Sequence, residues 1–358
     1  MFGRISVGKE IILLFVFAFM FMQLVGAPAA VATTVSIHSS AFKKLVWDSY
    51  EWGNAGDPNR FFPWLDTRFR EVGSKWNGLR GDSLDLVLSR ERRKLSNIRG
   101  LESKALEEQR FAGLLHKLVK LMIPRFSLDR GFEFYNVARY GERQCLLQSV
   151  LTAGLLEEAG VRSGIAMVYK NDRGKLSNNG HVVTIVKLAD GRDIIVDASE
   201  SNPFARHRGL MVAFKGSYCY MEPQYADKTP VIIAYKQSGS GSTWKPNQVN
   251  VLDYDFIRSQ FFFYRGERAP GGLLAAHPTS SGLLLSERAM ALSVKICPQN
   301  PLSVYTLGKI YAMHGYKHRA AELFSRAYGL YAKYGWIPDG PKEYYHYAQQ
   351  NRWISSKL

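Results

Sequence analysis

GHVVTIVKLADGRDIIVDAS, residues 180–199, is the stretch whose reading decides the fold. His181 to Leu188 and Asp193 to Val196 are short runs rich in Val and Ile, the β-branched types that fit a pleated strand. Between them Ala189-Asp190-Gly191 supplies Asp-Gly, a strong signal for a tight hairpin turn. In such an antiparallel pair the start of the first strand lies beside the end of the second. His181 and Asp197 stand 9 and 7 residues from Asp190, so an imidazole and a carboxylate are expected as neighbours at the open end of the hairpin.

Upstream, residues 144–159 read as one helix, because Leu147, Val150, Leu151 and Leu155 recur at three- and four-residue steps and Gly160 follows as a terminator. Cys145 stands at its start, after Gly141-Glu142-Arg143-Gln144. Free backbone N–H groups and the positive helix end favour a thiolate there, and Arg143 is expected to add to the effect. A depressed thiol pKa is what a cysteine nucleophile needs at neutral pH. The competing reading is a buried structural cysteine, since free cysteine is among the most buried residue types. A histidine steadied by Asp197 on an adjacent strand shifts the balance toward a nucleophile, base and orienter.

Working outward, residues 165–169, 210–214 and 231–235 also look like strands. Helices followed by a predominantly antiparallel sheet make an α+β arrangement. Residues 33 to about 80 hold Trp47, Trp52, Phe61, Phe62, Trp64 and Trp76 with little clean periodicity and are expected to be irregular and partly helical. Residues 83–122 are helical in pattern, divided at Gly100 and ended by Pro124. Ser238-Gly239-Ser240-Gly241-Ser242 reads as a flexible linker. Beyond it, Val304, Leu307, Gly308, Tyr311, Ala320, Phe324 and Ala327 fall at the spacing that packs two antiparallel helices, which resembles a tetratricopeptide unit. Residues 286–295 match the second helix of a degenerate preceding unit, and residues 341–350 a capping helix. One good repeat is fewer than an independent array needs, so this region is expected to lean on the core.

The chain has 358 residues with 46% hydrophobic and 22% charged, an ordinary globular composition that excludes wholesale disorder. Arg4 and Lys9 precede an uncharged apolar run from Ile11 to about Gly26, and Ala30 and Ala32 fit a cleavage site. Residues 1–32 therefore read as a secretory signal, with a retained signal anchor as the alternative. Either places the remainder outside the cytoplasm, secreted or periplasmic after cleavage, or membrane-anchored. The net charge of +16 favours anionic partners, an envelope polymer or a lipid surface, while no Arg/Lys run resembles a nucleic-acid motif. Three cysteines, Cys145, Cys219 and Cys297, are too few for a disulfide scaffold, and whether Cys219 and Cys297 pair stays open.

The order of a helix-borne Cys, a strand-borne His and a strand-ending Asp resembles the transglutaminase-like superfamily, a branch of the papain-like cysteine-enzyme fold. The matching text is RQCLLQSVLTAGLLEEAGVRS at 143–163, GHVVTIV at 180–186 and DGRDIIVDAS at 190–199. Val183 stands where the family carries an aromatic, Arg162-Ser163 where it has Pro-Ala, and Arg143 where it has Gly. These departures touch the substrate cleft more than the three reactive positions.

The resemblance covers about residues 105–236 and implies a papain/transglutaminase-like core, with N-terminal helices and a nucleophile helix packed on an antiparallel sheet, followed by a small helical-repeat segment. The domains expected are 1–32, the signal or anchor; 33–104, helical or irregular; 105–237, the transglutaminase-like domain; 238–250, a linker; and 251–358, the tetratricopeptide-like region. The function implied is a cysteine hydrolase or acyltransferase, a peptidase or amidase on peptide or amide bonds, with Cys145, His181 and Asp197 as its triad and the Cys145 backbone amide as one oxyanion donor. The alternative is a catalytically silent fold serving with its C-terminal helices as a protein–protein interaction module in the cell envelope. No cofactor is implied, because nothing forms a calcium loop or nucleotide cradle. No metal is expected either: His314 and His318 are four apart but fall at a turn between helices without a third ligand. His207, between Arg206 and Arg208, is expected to be solvated.

Overall fold

The computed structural model describes residues 35–76, 79 and 81–353. The expected signal or anchor, residues 1–32, lies outside the described residues. Among those described, no helix is long and apolar enough to cross a membrane. The fold is α+β, in the order helices, antiparallel barrel, helices.

The hairpin read from residues 180–199 is present as β4 (Leu176–Lys187) and β5 (Asp193–Val196), with Gly191 at φ 84° in the turn. Its register pairs Thr184 with Val196 and Lys187 with Asp193. The sheet continues from β4 through β3 (Ser163–Lys170), β6 (Gly209–Phe214), β7 (Ser217–Tyr225) and β8 (Val231–Gln237), every pairing antiparallel. Asp193 and Ile194 of β5 then pair back with Ile232 and Val231 of β8, which closes six strands into a barrel. Side chains alternate across the wall as the pleat requires. Ala166, Val168, Val183, Ile185, Val212 and Met221 belong to one buried cluster, while Ile165, Met167, Val182, Val186 and Met211 belong to the other.

That second cluster receives the helices: α1 (Ser40–Trp52), α2 (Phe61–Gly73), α3 (Leu84–Asn97), α4 (Leu101–Met122), the short α5 (Phe134–Tyr140) and α6 (Cys145–Glu158). The region before residue 80, expected to be irregular and partly helical, is more regular than that and holds two full helices. Their apolar faces bury Phe42, Phe61 and Phe69. Helix α6 is central, touching β3, β4, α3 and α4. It is apolar all round, as a fully enclosed helix must be; Leu146, Leu147, Leu151, Leu155 and Leu156 are all sealed from solvent. Each such burial stabilises by about 1.5–3 kcal/mol, which outweighs the roughly 1 kcal/mol cost of Gly154 inside the helix. Gly154 is needed there: a Cβ would lie 3.0 Å from Ile37 and from the Val35 carbonyl.

Two reciprocal hydrogen bonds set the height of α6 against β4. Ser149 Oγ donates to the Val182 carbonyl at 2.9 Å, and Thr184 Oγ1 donates to the Ser149 carbonyl at 2.9 Å. Cys145 lies one helical turn before Ser149, and His181 one residue before Val182. This latch therefore brings the start of the helix to the bend in the strand.

Residues 238–250, expected as a flexible linker, are instead a strap on the barrel. The two glycines make a turn at φ 85° and 72°, and β9 (Thr243–Trp244) pairs with β8. Asn250 exchanges both backbone bonds with Ala213, and Lys187 Nζ donates to the carbonyls of Pro246 and Val249. Composition signalled freedom, but the flanking residues have strand and barrel partners to satisfy.

The C-terminal helices are α7 (Tyr254–Glu267), α8 (Ser280–Ile296), α9 (Pro301–Met313), α10 (Lys317–Tyr334) and α11 (Asp339–Gln350), each packed on the next. Gly308 permits close approach of α9 and α10, since a Cβ there would meet the Phe324 ring at 2.7 Å. The segment rests on the barrel through aromatic contacts, with Trp336 4.8 Å from Tyr169 and 5.2 Å from Tyr220 between ring centres. Residues 35–353 consequently form one compact unit, rather than units separated at 238–250.

Candidate active site

Cys145 is the first residue of α6 and half-buried. Gly141, left-handed at φ 64°, ends α5; β2 (Glu142–Arg143) then pairs in parallel with β1 (Arg125–Phe126) and delivers the chain to Gln144. The Gln144 side chain caps the helix by accepting from Leu146 N at 3.2 Å. Arg143 is turned away from the thiol, donating through Nε to the Ile123 carbonyl at 2.9 Å. It does not supply the charge expected of it; its neighbour across the cleft does.

That neighbour is His181, which lines the same cleft as Cys145 and whose interaction with the thiol lowers its pKa. It sits where β4 bends, after Gly180 at φ 67°, a position where added bulk would strike the Met167 side chain at 2.9 Å. Continuing the β4–β5 register by one residue places Asp197 opposite Val183, and His181 lies two residues along on the same face. His181 Nε2 is 3.0 and 2.9 Å from the two Asp197 oxygens. With Nε2 committed to the acid, Nδ1 is the nitrogen left for the thiol.

Asp197 is buried, and four elements hold it. Its amide donates to the Pro203 carbonyl, and its Oδ1 accepts from Ser199 N at 2.9 Å. Two residues that sequence reasoning did not assign to the site complete the set. His116 of α4, buried, donates through Nε2 to the Asp197 and Glu200 carbonyls, both at 3.1 Å. His207, expected in solvent, is buried and places Nε2 2.8 Å from Asp197 Oδ2. The arginines on either side suggested exposure; alternation at the entry to β6 turns them outward and the histidine inward. His116 had only its place on an apolar helix stripe to betray it.

The charges support one another. Burial alone raises the Cys145 thiol, but the hydrogen bond and charge of His181, with a backbone contact at Val182, bring it below the ordinary cysteine value. Burial alone lowers His181; Asp197 and Cys145 outweigh it and push the imidazole up to about 10. Against burial, hydrogen bonds from His181, His207 and Ser199 hold Asp197 well below the usual carboxylate range. Both shifts favour the charged forms, thiolate and imidazolium, more than in the free side chains. Tyr264 of α7 lines the same cleft, and burial together with the cysteine charge raises its pKa well above the ordinary value, so its hydroxyl keeps its proton.

The group opens on a cleft of about 560 Å³. Phe126, Leu128 and Leu176 stand exposed on its rim, with Glu200, Glu267 and Arg268 as charged neighbours. His181, Asp197 and His207 also present three metal-capable atoms within 4.8 Å of one another. Both imidazole nitrogens, however, are directed at the carboxylate itself, the geometry of a hydrogen-bonded chain. His314 and His318 pair separately with Glu287 and Glu322, each at 3.3 Å. Cys219 and Cys297 are free buried thiols. The chain matches no protein-family model and no curated protein.

Proposed function

We propose that the protein is a cysteine-dependent acyl-transfer enzyme, a peptidase or amidase of transglutaminase-like, papain-related design acting outside the cytoplasm. The observation that carries this is the half-buried cysteine at a helix start, sharing a cleft with an imidazole whose Nε2 rests on a buried acid. In the reaction, Cys145 Sγ attacks the carbonyl carbon of an amide and the C=O π pair moves onto oxygen. The Cys145 backbone N–H at the helix start would donate to that oxygen, with the Tyr264 hydroxyl, on the same cleft, as the candidate second donor. His181 then gives its Nδ1 proton to the leaving amine as the C–N bond breaks, producing a thioester. Water, deprotonated by the now neutral His181, attacks the thioester and releases the acid and the thiol. Asp197 keeps the ring in one tautomer throughout and stabilises the imidazolium.

Protein or peptide substrates suit the open cleft and its apolar rim. The helices after residue 251 offer a surface for a protein partner, and the charge of +16 suits an anionic polymer or lipid surface. The test is mass-spectrometric trapping of a thioester on Cys145 with peptide amides and glutamine peptides, against Cys145→Ala. An adduct confined to the parent protein supports the reading. Equal turnover by the two proteins sinks it, and no turnover with an unreactive thiol leaves the interaction-module account in its place.

A further inference from the structure

We infer that His207 is a positioning residue of this site: its Nε2–H clamps the Asp197 carboxylate in place, so that the thiol–imidazole pair depends on a fourth side chain. The inference rests on the cysteine-enzyme reading above. Asp197 stands one residue beyond the end of β5, where the Pro203 carbonyl and His116 hold its backbone but not its carboxylate. Its side chain must therefore be oriented by donors. Oδ1 has the Ser199 amide at 2.9 Å and His181 at 3.0 Å; Oδ2 has His181 at 2.9 Å and His207 at 2.8 Å. The rings meet at 71° with centres 5.9 Å apart, so they approach the acid from different directions and do not stack. Without His207, Oδ2 keeps only His181, and the Ser199 amide on Oδ1 is the one donor besides His181 left to hold the carboxylate in the plane that ring needs.

The proton position follows from the chemistry. An ionised carboxylate only accepts, so His207 must carry its hydrogen on Nε2. Its Nδ1 is buried without a hydrogen-bond partner, a costly state for a ring nitrogen. The fold tolerates that cost at a residue it also fixes firmly. Tyr225 OH donates to the His207 carbonyl at 2.7 Å, Arg208 N donates to the Lys170 carbonyl at 3.0 Å, and Gly209 leaves room for the Tyr169 ring, which a Cβ would strike at 2.5 Å. The ionisable groups around the clamp are Asp197 and His181, with Cys145 beyond, His116 on the Asp197 carbonyl, Tyr225 from β7 with Arg206 over its ring, the flanking Arg208, Glu200 and Lys120, and Glu267 and Arg268 on the cleft.

The experiment is the rate of Cys145 alkylation by iodoacetamide from pH 5 to pH 10 in the parent, His207→Phe and His207→Gln, with thermal unfolding followed alongside. The Phe variant keeps ring volume and loses the donor; Gln keeps a donor. The result expected is an alkaline displacement of the His207→Phe profile by about one pH unit, with more than half of it recovered in His207→Gln. A purely structural ring would lower the unfolding temperature and leave the profile where it was, which overturns the inference. An equal displacement in both variants overturns it too. Should the parent itself behave as an ordinary thiol, the enzymatic reading falls first, and the two failures are thereby told apart. Should the Phe variant not fold, nitrogen NMR of the parent with labelled histidine decides: Nε2–H on His207 at pH 7 supports the clamp, and Nδ1–H overturns it.

Discussion

One hairpin carries two acid–base pairs of opposite character. At its open end, His181 and Asp197 are both driven toward charge, the imidazole up and the carboxyl down. At its turn end, Lys187 Nζ is 2.7 Å from Asp193 Oδ2, and burial pushes both toward neutrality, the lysine down and the acid up. The second pair is closed: Tyr235 OH donates to Asp193 at 2.7 Å, and Lys187 spends its remaining hydrogens on two carbonyls of the strap. The first is left open on one side, where a thiol and a cleft stand. Proximity of acid and base is thus common to both, and access together with a nucleophile separates a reactive site from a staple.

Breaking the open end should give the largest effect. Cys145→Ala is expected to lower amide turnover by on the order of 10⁴-fold or more, with unfolding free energy changed by less than about 1 kcal/mol; steady-state assay and urea unfolding read the two. Breaking the closed end should do the reverse. Lys187→Met leaves a buried acid without its partner, and the expected loss is about 3–5 kcal/mol of stability, with the alkylation profile of Cys145 retained in the folded fraction.

The pH dependence sharpens the contrast. For an ordinary thiol of pKa about 8.5 the alkylation rate falls about 80-fold from pH 8 to pH 6; for Cys145 a shallower fall is expected, because the His181 imidazolium favours the thiolate. The sign for stability follows. His181 is raised on folding, so its contribution is full below about 6.5, its unfolded value, and is lost as pH rises through about 10; Asp197 is lowered, so its contribution is present above about 3.9 and is lost as pH falls through its folded value. Denaturant midpoints of the parent against His181→Ala should converge above pH 10. The smallest effect expected is that of a chelator. EDTA should leave the alkylation rate within about twofold, and a larger change would mean that the imidazole pair holds a cation in place of its protons.

Much of this was legible locally. The helix from Cys145 and the strands ending at Lys187 and Val196 follow from periodicity and from one Asp-Gly turn, and the nearness of His181 to Asp197 follows from counting along the hairpin. Strand β7 was not legible, because Pro223 argues against a ladder position and its residues are apolar on both faces. In the barrel Pro223 pairs with Tyr235 beside a register shift at Gln224, where a missing N–H is tolerated.

The amino-acid order by itself determined which residue types arrive together: a thiol at a helix start, an imidazole and an acid on one ribbon, all within contacts of short range. Tertiary structure alone decided that Ser149 and Thr184 align helix with strand, that β5 returns to β8, and that His207 reaches the Asp197 carboxylate and His116 its backbone carbonyl. The physical reason is that burial and charge belong to whatever packs across a gap, and no window of sequence contains both sides of it.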